Sequence, residues 1–289
     1  MQKVTTVKAL RQVIQQWRSQ GDRIAFVPTM GNLHAGHIKL VSEAKTTSDR
    51  VVVSIFVNPT QFGEGEDFGS YPRTAVEDEA KLTAAATDLL FLPTVDEMYP
   101  GNSNTVVSVV ELSTYHCGAT RAGHFDGVAT IVTKLFNMVQ PDVAAFGEKD
   151  FQQLVLIRTM VQDLNIPVQV FGVATERETD GLAMSSRNGY LTKQQRLIAP
   201  ELYKALCKAR EAVLSNKLSL RAIEQRQQNH LQALGFDVDY FSICRSNDLQ
   251  QAQRHDNEVV ILAAAKLGKP RLIDNVCLSN VHEITSTVR

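Results

Sequence analysis

Through the first half of the chain, short apolar runs alternate with segments whose apolar residues recur at helical spacing. The runs that predict strands are 23–27, 51–57, 88–92, 142–146 and 167–173. The segments that predict helices are 7–18, 36–45, 75–86, 128–139 and 151–164. Strands that are apolar throughout are typical of a parallel sheet with helices on both faces. The pattern therefore predicts an α/β domain over residues 1–175.

The pattern changes in the remaining residues, 176–289, which are richer in polar helical segments. Two helices are predicted there, over 192–214 and 219–233, followed by strand-like runs at 236–244, 258–264 and 271–276. This order predicts a smaller α+β domain after a boundary near residue 175. In the larger domain, ligands are expected beyond the carboxyl ends of the strands. Three such loops stand out because of their composition, and they follow Val27, Val57 and Phe146.

The loop after the first of these strands carries the clearest chemical pattern, PTMGNLHAGH at 28–37. His34, Gly36 and His37 stand where the chain enters a helix, and a helix N-terminus offers free N–H groups and a positive dipole end. Gly36 allows a ligand backbone to approach closely, and two imidazoles beside it can donate to phosphate oxygens. The alternative is that both histidines only cap the helix or line a packed turn. The strand–Gly–H-x-G-H–helix context favours phosphate binding.

A second polar loop, MSSRN at 184–188, precedes the first helix of the smaller domain. Ser185 and Ser186 can donate to phosphate oxygens, and the fork of donors of Arg187 can neutralise their charge. Alone, this loop is equally consistent with an ordinary helix N-cap. Together with the H-x-G-H pattern, it predicts a site for a polyphosphate.

The two motifs resemble the signatures of the nucleotidylyltransferase superfamily, which includes class I aminoacyl-tRNA synthetases. H-x-G-H follows the first strand in that superfamily, and MSSRN looks like a variant of its K-M-S-K-S loop. Further segments occur in the order expected for one family, namely NPTQF (58–62), YPRT (71–74), GHFDGV (123–128), FGEKDFQQ (146–153), DGLAMSSRNGYL (180–191) and RLIDN (271–275). The set is similar to the pantoate–β-alanine ligase family, which implies a Rossmann-like parallel sheet of the HxGH nucleotidylyltransferase type.

The resemblance implies an ATP-dependent ligase of pantothenate and coenzyme A biosynthesis. Pantoate and ATP would give pantoyl-adenylate and pyrophosphate, and β-alanine would then displace AMP to give pantothenate. Mg²⁺ would bind through the ATP phosphates, and no metal site made of protein side chains is expected. A homodimer is also implied.

The family's functional residues carry over onto matching positions. His34, His37, Lys149 and Arg187 would be catalytic. The residues that would bind ATP are Met30, Gly31, His34, Gly36, His37, Gly147, Glu148, Lys149, Asp150, Glu176, Met184, Ser185, Ser186 and Arg187. Gln61 and Gln153 would bind pantoate through their amides, and Asn58 would shape the same pocket. Asp78 would either orient that pocket from behind or be a solvated helix residue.

The chain departs from the family pattern at two positions. Ala35 stands where an acidic residue is expected in many members, and Glu176 stands where an apolar residue is usual. His116, Cys117 and His124 suggest metal ligation, but they have no second ligand pair at suitable spacing. Structural roles are therefore favoured for all three.

Composition narrows the class of protein. The 289 residues include 30 Lys and Arg against 31 Asp and Glu, so the chain lacks the basic character of a nucleic-acid-binding protein. Four widely spaced cysteines predict reduced thiols in a cytoplasmic protein. The first twenty residues do not resemble a signal peptide, and no apolar run is long enough to cross a bilayer. ATP, pantoate and β-alanine are the expected partners.

Three other hypotheses remain open at this point. A nucleotidyltransferase acting on a phosphate ester would share the phosphate motifs but would need a cationic pocket for its substrate. A fragment of a class I synthetase should carry a tRNA-binding module, which neither the length nor the charge supplies. A non-catalytic nucleotide sensor would have no need for the intact H-x-G-H motif, Lys149 and Arg187.

Overall fold

A computed structural model describes residues 1–63, 65–101 and 103–279. The strands are β1 (Gln2–Val4), β2 (Ile24–Thr29), β3 (Arg50–Ile55), β4 (Leu89–Phe91), β5 (Val143–Gly147), β6 (Gln169–Val173), β7 (Asp237–Arg245), β8 (Val259–Lys266) and β9 (Arg271–Leu278). The helices are α1 (Val7–Ser19), α2 (Ala35–Thr46), α3 (Ala75–Ala84), α4 (Val95–Met98), α5 (Cys117–Thr120), α6 (His124–Val139), α7 (Phe151–Asp163), α8 (Lys193–Ile198), α9 (Glu201–Ser215) and α10 (Leu220–Ala233).

The described residues form two compact units. The first comprises residues 1–114, 121–148 and 156–174. The second comprises residues 115–120 and 149–155 and the described residues from Thr175 onwards. The division into functional domains at about residue 175 stays a prediction.

The first unit contains a six-stranded parallel sheet in the order β1-β4-β3-β2-β5-β6. From β2 the chain runs outward through β3 to β4, and it then returns to the other side of β2 to form β5 and β6. The strand order therefore reverses between β2 and β5, and ligands of open α/β sheets bind at this kind of switch point. The loop that carries the H-x-G-H motif begins here, at the carboxyl end of β2.

Both faces of this sheet are buried, as the apolar strands predict. On one face, α2 packs through Leu40, Val41 and Ala44 against alternate strand residues that include Val27 and Val53. On the other face, Phe136 of α6 makes edge-on ring contacts with Phe26 and Phe146, at centroid distances of 6.4 and 6.3 Å. The predicted parallel α/β sheet is confirmed.

The second unit contains a three-stranded antiparallel sheet in the order β7-β8-β9. Its core is formed by apolar residues of α9, α10 and the three strands, among them Leu206, Ile223, Phe241 and Ile261. This arrangement confirms the smaller α+β part of the predicted fold.

The short helices α4 and α5 were not predicted, α6 begins at His124 and not at 128, and two further differences have a clear physical reason. The helix predicted over 192–214 is broken into α8 and α9, because Pro200 stands between them and has no N–H to continue the hydrogen-bond ladder. Strand β1 was not predicted, since only three residues pair with β4 at the sheet edge and only Val4 is buried.

Candidate active site

The loop after β2 turns through Gly31, whose φ of +83° is unfavourable for any residue with a side chain. Space is also limited there, because a Cβ on Gly31 would lie 3.0 Å from Ile55 Cγ2 and 3.2 Å from Asp78 Oδ2. Glycine is therefore required twice over, by the conformation of the turn and by its neighbours. The turn directs the chain into α2.

His34 and His37 form a reciprocal capping box at the start of α2. Gly36 donates its N–H to His34 Nδ1 (3.2 Å), and His34 donates its own N–H to His37 Nδ1 (3.2 Å). Because each Nδ1 accepts a hydrogen bond, each neutral ring carries its proton on Nε2, which is then a donor. The ring centroids are 4.1 Å apart. Capping thus places two donors of the same tautomer at a helix N-terminus.

A buried carboxylate holds this loop from α3. Asp78 is 1% exposed, and its two oxygens accept the N–H groups of Asn32 (2.8 Å) and Leu33 (2.7 Å). One turn further along α3, Lys81 donates from Nζ to the carbonyl of Leu33 (2.6 Å). Of the two sequence hypotheses for Asp78, the solvated helix residue is excluded. Its carboxylate instead fixes the backbone that precedes His34.

The loop after β3 brings Gln61 against the H-x-G-H loop. A short 3₁₀ helix spans Pro59–Gln61, and Gln61 Nε2 lies 3.0 Å from Met30 Sδ. Asn58 is 1% exposed and donates from Nδ2 to Gln61 Oε1 (3.2 Å) and to the carbonyl of Gly127 (3.1 Å). Tyr99 donates its hydroxyl to Asn58 Oδ1 (2.8 Å). The amide of Asn58 is thus bonded on both sides, and it orients the amide of Gln61.

The N-terminus of α6 packs closely on the same 3₁₀ turn. A Cβ at Gly127 would collide with the carbonyl of Thr60, so only glycine allows this approach. Arg121 forms a two-pronged ion pair with Glu66, with Nε–Oε1 2.6 Å and Nη2–Oε2 2.7 Å. Burial by itself raises the pKa of Glu66, but the hydrogen bonds and charge of Arg121 outweigh it and lower that pKa to about 2. Glu66 is therefore ionised at any working pH.

In the second unit, the segment before the MSSRN loop is fixed to β9. Arg177 pairs with both carboxylate oxygens of Asp274 (2.6 and 2.9 Å), and its guanidinium lies 3.6 Å from the ring centre of Tyr203. Burial raises the pKa of Asp274 despite the opposing charge of Arg177. The glycine of this turn, Gly181, has a φ of +91°, and a Cβ there would contact Tyr203.

The MSSRN loop itself is a tight polar turn. Arg187 donates its N–H to Ser185 Oγ (3.2 Å), and Asn188 donates from Nδ2 to the carbonyl of Ala183 (3.0 Å). Met184 donates its N–H to the carbonyl of Glu176 (2.9 Å), which ties the two predicted ATP residues together. Ser186 is partly exposed in the same turn.

The residues after β5 are the remaining predicted ATP and substrate residues. Gly147 ends the strand, and a Cβ built on it meets nothing within 4 Å. A 3₁₀ turn, Glu148–Asp150, follows, in which Lys149 Nζ lies 3.5 Å from Asp150 Oδ2. Asn275 of β9 donates from Nδ2 to the carbonyl of Lys149 (3.0 Å). Gln153 lies partly exposed in the first turn of α7.

The suggested metal ligands have other contacts. Cys117 Sγ lies 3.0 Å from Tyr240 Oη, and Gln152 accepts the N–H of Cys117 (3.1 Å). His116 Nε2 lies 3.2 Å from the carbonyl of Leu249. Across residues 1–63, 65–101 and 103–279, no group of three His, Cys, Asp or Glu residues could hold a metal ion.

The structure thus brings His34, His37, Met30 and Gln61 together in the first unit. In the second unit, Lys149 is bonded to Asn275 of β9, and Met184 is bonded to Glu176. Sequence reasoning left several supporting residues without a role, namely Lys81, Arg121, Arg177, Asp274 and Asn275. The motif RLIDN was the available signal for Asp274 and Asn275, but their partners lie far from them in sequence. Among the described residues, no helix is long and apolar enough to cross a membrane.

The role of Asp78 can be tested with Asp78→Asn. The amide can accept fewer hydrogen bonds and cannot supply a charge, so we expect the free energy of unfolding to fall by about 1–3 kcal/mol. Glu77→Gln is the matched control, because Glu77 is an exposed carboxylate in the same first turn of α3. Urea denaturation of both variants measures the difference. Equal losses in the two variants would show that only helix-terminal charge matters.

The chain is similar to known proteins over nearly its whole length. The model of the pantoate–β-alanine ligase family matches residues 2–277. The pantothenate synthetase of Alcanivorax borkumensis is 51% identical over 98% of this chain and 100% of its own, and that of Pseudomonas fluorescens SBW25 is 53% identical over 96% and 99%.

Solved structures of the same family are also similar to this chain. The pantothenate synthetase of Thermus thermophilus has a TM-score of 0.90 at 44% identity, covering 97% of this chain and 99% of its own. The pantoate–β-alanine ligase of Francisella tularensis, complexed with β-γ ATP and β-alanine, has a TM-score of 0.80 at 34% identity, covering 96% and 97%. A strand, a capped H-x-G-H helix and a family match over nearly every residue lead to one conclusion: the chain belongs to the pantoate–β-alanine ligase family.

Proposed function

We propose that this chain joins pantoate to β-alanine with consumption of ATP, through a pantoyl-adenylate, and that the residues predicted from the sequence carry the chemistry. The observation that supports this most strongly is the capping box, which fixes the tautomers of His34 and His37 with Nε2–H as the donor. Such donors, together with the N-terminus of α2, suit a phosphate whose charge increases during reaction. The Francisella relative bound to an ATP compound and β-alanine supports the same substrates.

The reaction balances in two steps. A carboxylate oxygen of pantoate attacks the α-phosphorus of ATP, and the bond to the β-phosphate oxygen breaks, releasing pyrophosphate. The amine of β-alanine then attacks the acyl carbon, AMP leaves with the original carboxylate oxygen, and the amine loses a proton. Adenylation is needed because a free carboxylate has no leaving group. The protein therefore aligns the reactants and stabilises phosphate charge.

We assign the stabilisation of phosphate charge to four catalytic side chains. His34 and His37 donate from Nε2, while Lys149 and Arg187 supply positive charge. Ser185 and Ser186 add hydroxyl donors. ATP would enter with Mg²⁺ on its phosphates, as the family resemblance implies.

The nucleoside is assigned to residues of the remaining loops. Asp150 suits the ribose hydroxyls as an acceptor, and Gly147 leaves open space at the end of β5. The other residues assigned to ATP are Met30, Gly31, Gly36, Glu148, Glu176 and Met184. Glu176 uses its backbone carbonyl for Met184, so its unusual side chain does not alter that contact.

Pantoate is assigned to the amides of Gln61 and Gln153. Gln61 Nε2 faces the thioether of Met30, which is a weak acceptor, so a hydroxyl or carboxylate oxygen of the substrate is a better partner. Asn58 contributes by holding Gln61 Oε1 rather than by direct contact. We further propose a cytoplasmic homodimer, on the family resemblance and the reduced cysteines.

The route is tested by isotope transfer. Pantoate labelled with ¹⁸O in its carboxylate should yield labelled AMP once β-alanine is added, and omission of ATP, pantoate or β-alanine should each abolish pantothenate formation. Without β-alanine, pantoate should still support exchange of labelled pyrophosphate into ATP. Label in pyrophosphate would place the attack on the wrong phosphorus. Unlabelled AMP would rule out the adenylate route.

The assignment of pantoate is tested with Gln61→Ala and Gln153→Ala. Loss of a hydrogen bond that only pantoate receives should raise the KM for pantoate about tenfold and leave the KM for ATP nearly unchanged. Gln162→Ala, an exposed position on α7, is the control. Equal increases in both KM values would assign these glutamines to the fold or to the nucleotide site.

A further inference from the structure

A chain of contacts behind Gln61 is not used by the functions assigned above. It runs from Glu66 through Arg121 and His124 to the carbonyl of Gln61, and all four residues lie in the first unit. His124 belongs to the GHFDGV segment, to which the sequence assigns no ligand. It is 9% exposed, and its imidazole joins two groups that are far apart in sequence.

The hydrogen bonds in this series of contacts determine the tautomer of His124. Arg121 Nη1 lies 2.8 Å from His124 Nε2, and a guanidinium only donates, so Nε2 must accept. The ring proton is therefore on Nδ1, which lies 2.7 Å from the carbonyl oxygen of Gln61 and donates to it. Only the neutral Nδ1–H form satisfies both contacts. Its tautomer is the opposite of that in His34 and His37.

Glu66 determines where Arg121 lies. The carboxylate takes Nε and Nη2 of the guanidinium in a two-pronged pair, which leaves Nη1 directed at His124. A planar fork held at two points has little freedom to rotate, and a lysine could not reproduce it. The side chains of Arg121 and Glu66 are 19% and 25% exposed, so the pair is largely screened from water.

Gln61 is consequently held at both its main chain and its side chain. His124 fixes the carbonyl, Asn58 fixes Oε1, and Met30 lies against Nε2. The other described bonds to the main chain of Gln61 are longer, because Arg121 Nη2 lies 3.4 Å from the same carbonyl oxygen and the Gln61 N–H bond to the carbonyl of Asn58 is 3.5 Å. A small shift of the main chain would therefore move the amide that faces the substrate.

We propose that Glu66, Arg121 and His124 are positioning residues for the ligase reaction, and that they set the affinity for pantoate by fixing the turn that carries Gln61. The proposal rests on the proposed role of Gln61. His124 touches no reacting atom in this account. Its effect passes through one hydrogen bond to the main chain.

Two substitutions at His124 distinguish the contribution of Nδ1 from that of Nε2. In His124→Asn, the amide nitrogen can occupy the place of Nδ1 and still donate to the Gln61 carbonyl. In His124→Gln, the longer side chain replaces Nε2 and keeps a partner for Arg121, but the bond to Gln61 is lost. We expect His124→Gln to raise the KM for pantoate about tenfold, with the KM for ATP and kcat within about twofold of the parent. His124→Asn should raise the KM for pantoate by only about threefold, because it keeps a donor to the Gln61 carbonyl and loses only the contact with Arg121.

Glu66→Gln and His255→Gln complete the set. Glu66→Gln should also raise the KM for pantoate selectively, because it frees Arg121 without altering the core. His255 is 72% exposed at its side chain, and its replacement should change nothing. If these residues had a purely structural role, the variants would contain less correctly folded enzyme. The apparent kcat would then fall, and both KM values would stay unchanged. That result, or equal behaviour of His124→Asn and His124→Gln, would overturn the proposal.

A double-mutant cycle with Gln61→Ala distinguishes this proposal from the one on which it rests. The relay is the series Glu66, Arg121 and His124. If it acts through the Gln61 amide, His124→Gln should have no further effect on the KM for pantoate in the Gln61→Ala background. Additive effects would refute the relay while leaving Gln61 as a pantoate residue. A normal KM for pantoate in Gln61→Ala alone would instead refute the assignment of Gln61.

Discussion

The buried carboxylate of Asp78 determines the shape of the H-x-G-H loop. Its two oxygens accept consecutive backbone N–H groups, those of Asn32 and Leu33, just before the chain enters α2. Because the loop is fixed there, His34 begins the helix with its side chain turned back on Gly36, and His37 completes the capping box. Both imidazoles are therefore held at the helix N-terminus by backbone hydrogen bonds. Preorganisation of this kind lowers the free energy needed to stabilise charge during reaction.

The sheet topology determines where this loop lies. Parallel pairing of β2 with β3 and β5 brings the ends of three strands to one edge, and the strand order reverses beside β2. The loop after β3 then supplies Gln61, and the start of α6 supports it from behind through Gly127 and His124. The ligase chemistry of the family requires alignment of the reactants and stabilisation of phosphate charge.

Much of the fold could be predicted from the sequence, because the central strands are apolar throughout and most helices repeat apolar residues at helical spacing. The break at Pro200 was missed because the flanking segments continue the helical pattern, and β1 was missed because three residues carry little pattern. The phosphate motif was predicted, yet capping and phosphate binding were treated as alternatives, whereas the structure shows that capping itself orients the rings. Partners such as Arg177 and Asp274, 97 residues apart, leave no local signal. Individual roles of the site residues stay predictions.

The central claim is that backbone hydrogen bonds hold His34 and His37 with Nδ1 as acceptor and Nε2–H as donor. Nitrogen-15 NMR of the two rings tests this directly, in the free enzyme at a pH where both are neutral, with His34→Gln and His37→Gln used to assign the signals. The account predicts that both rings are protonated at Nε2 and unprotonated at Nδ1. A proton on Nδ1 of either ring would contradict it, because that ring could not accept the backbone N–H that defines the cap.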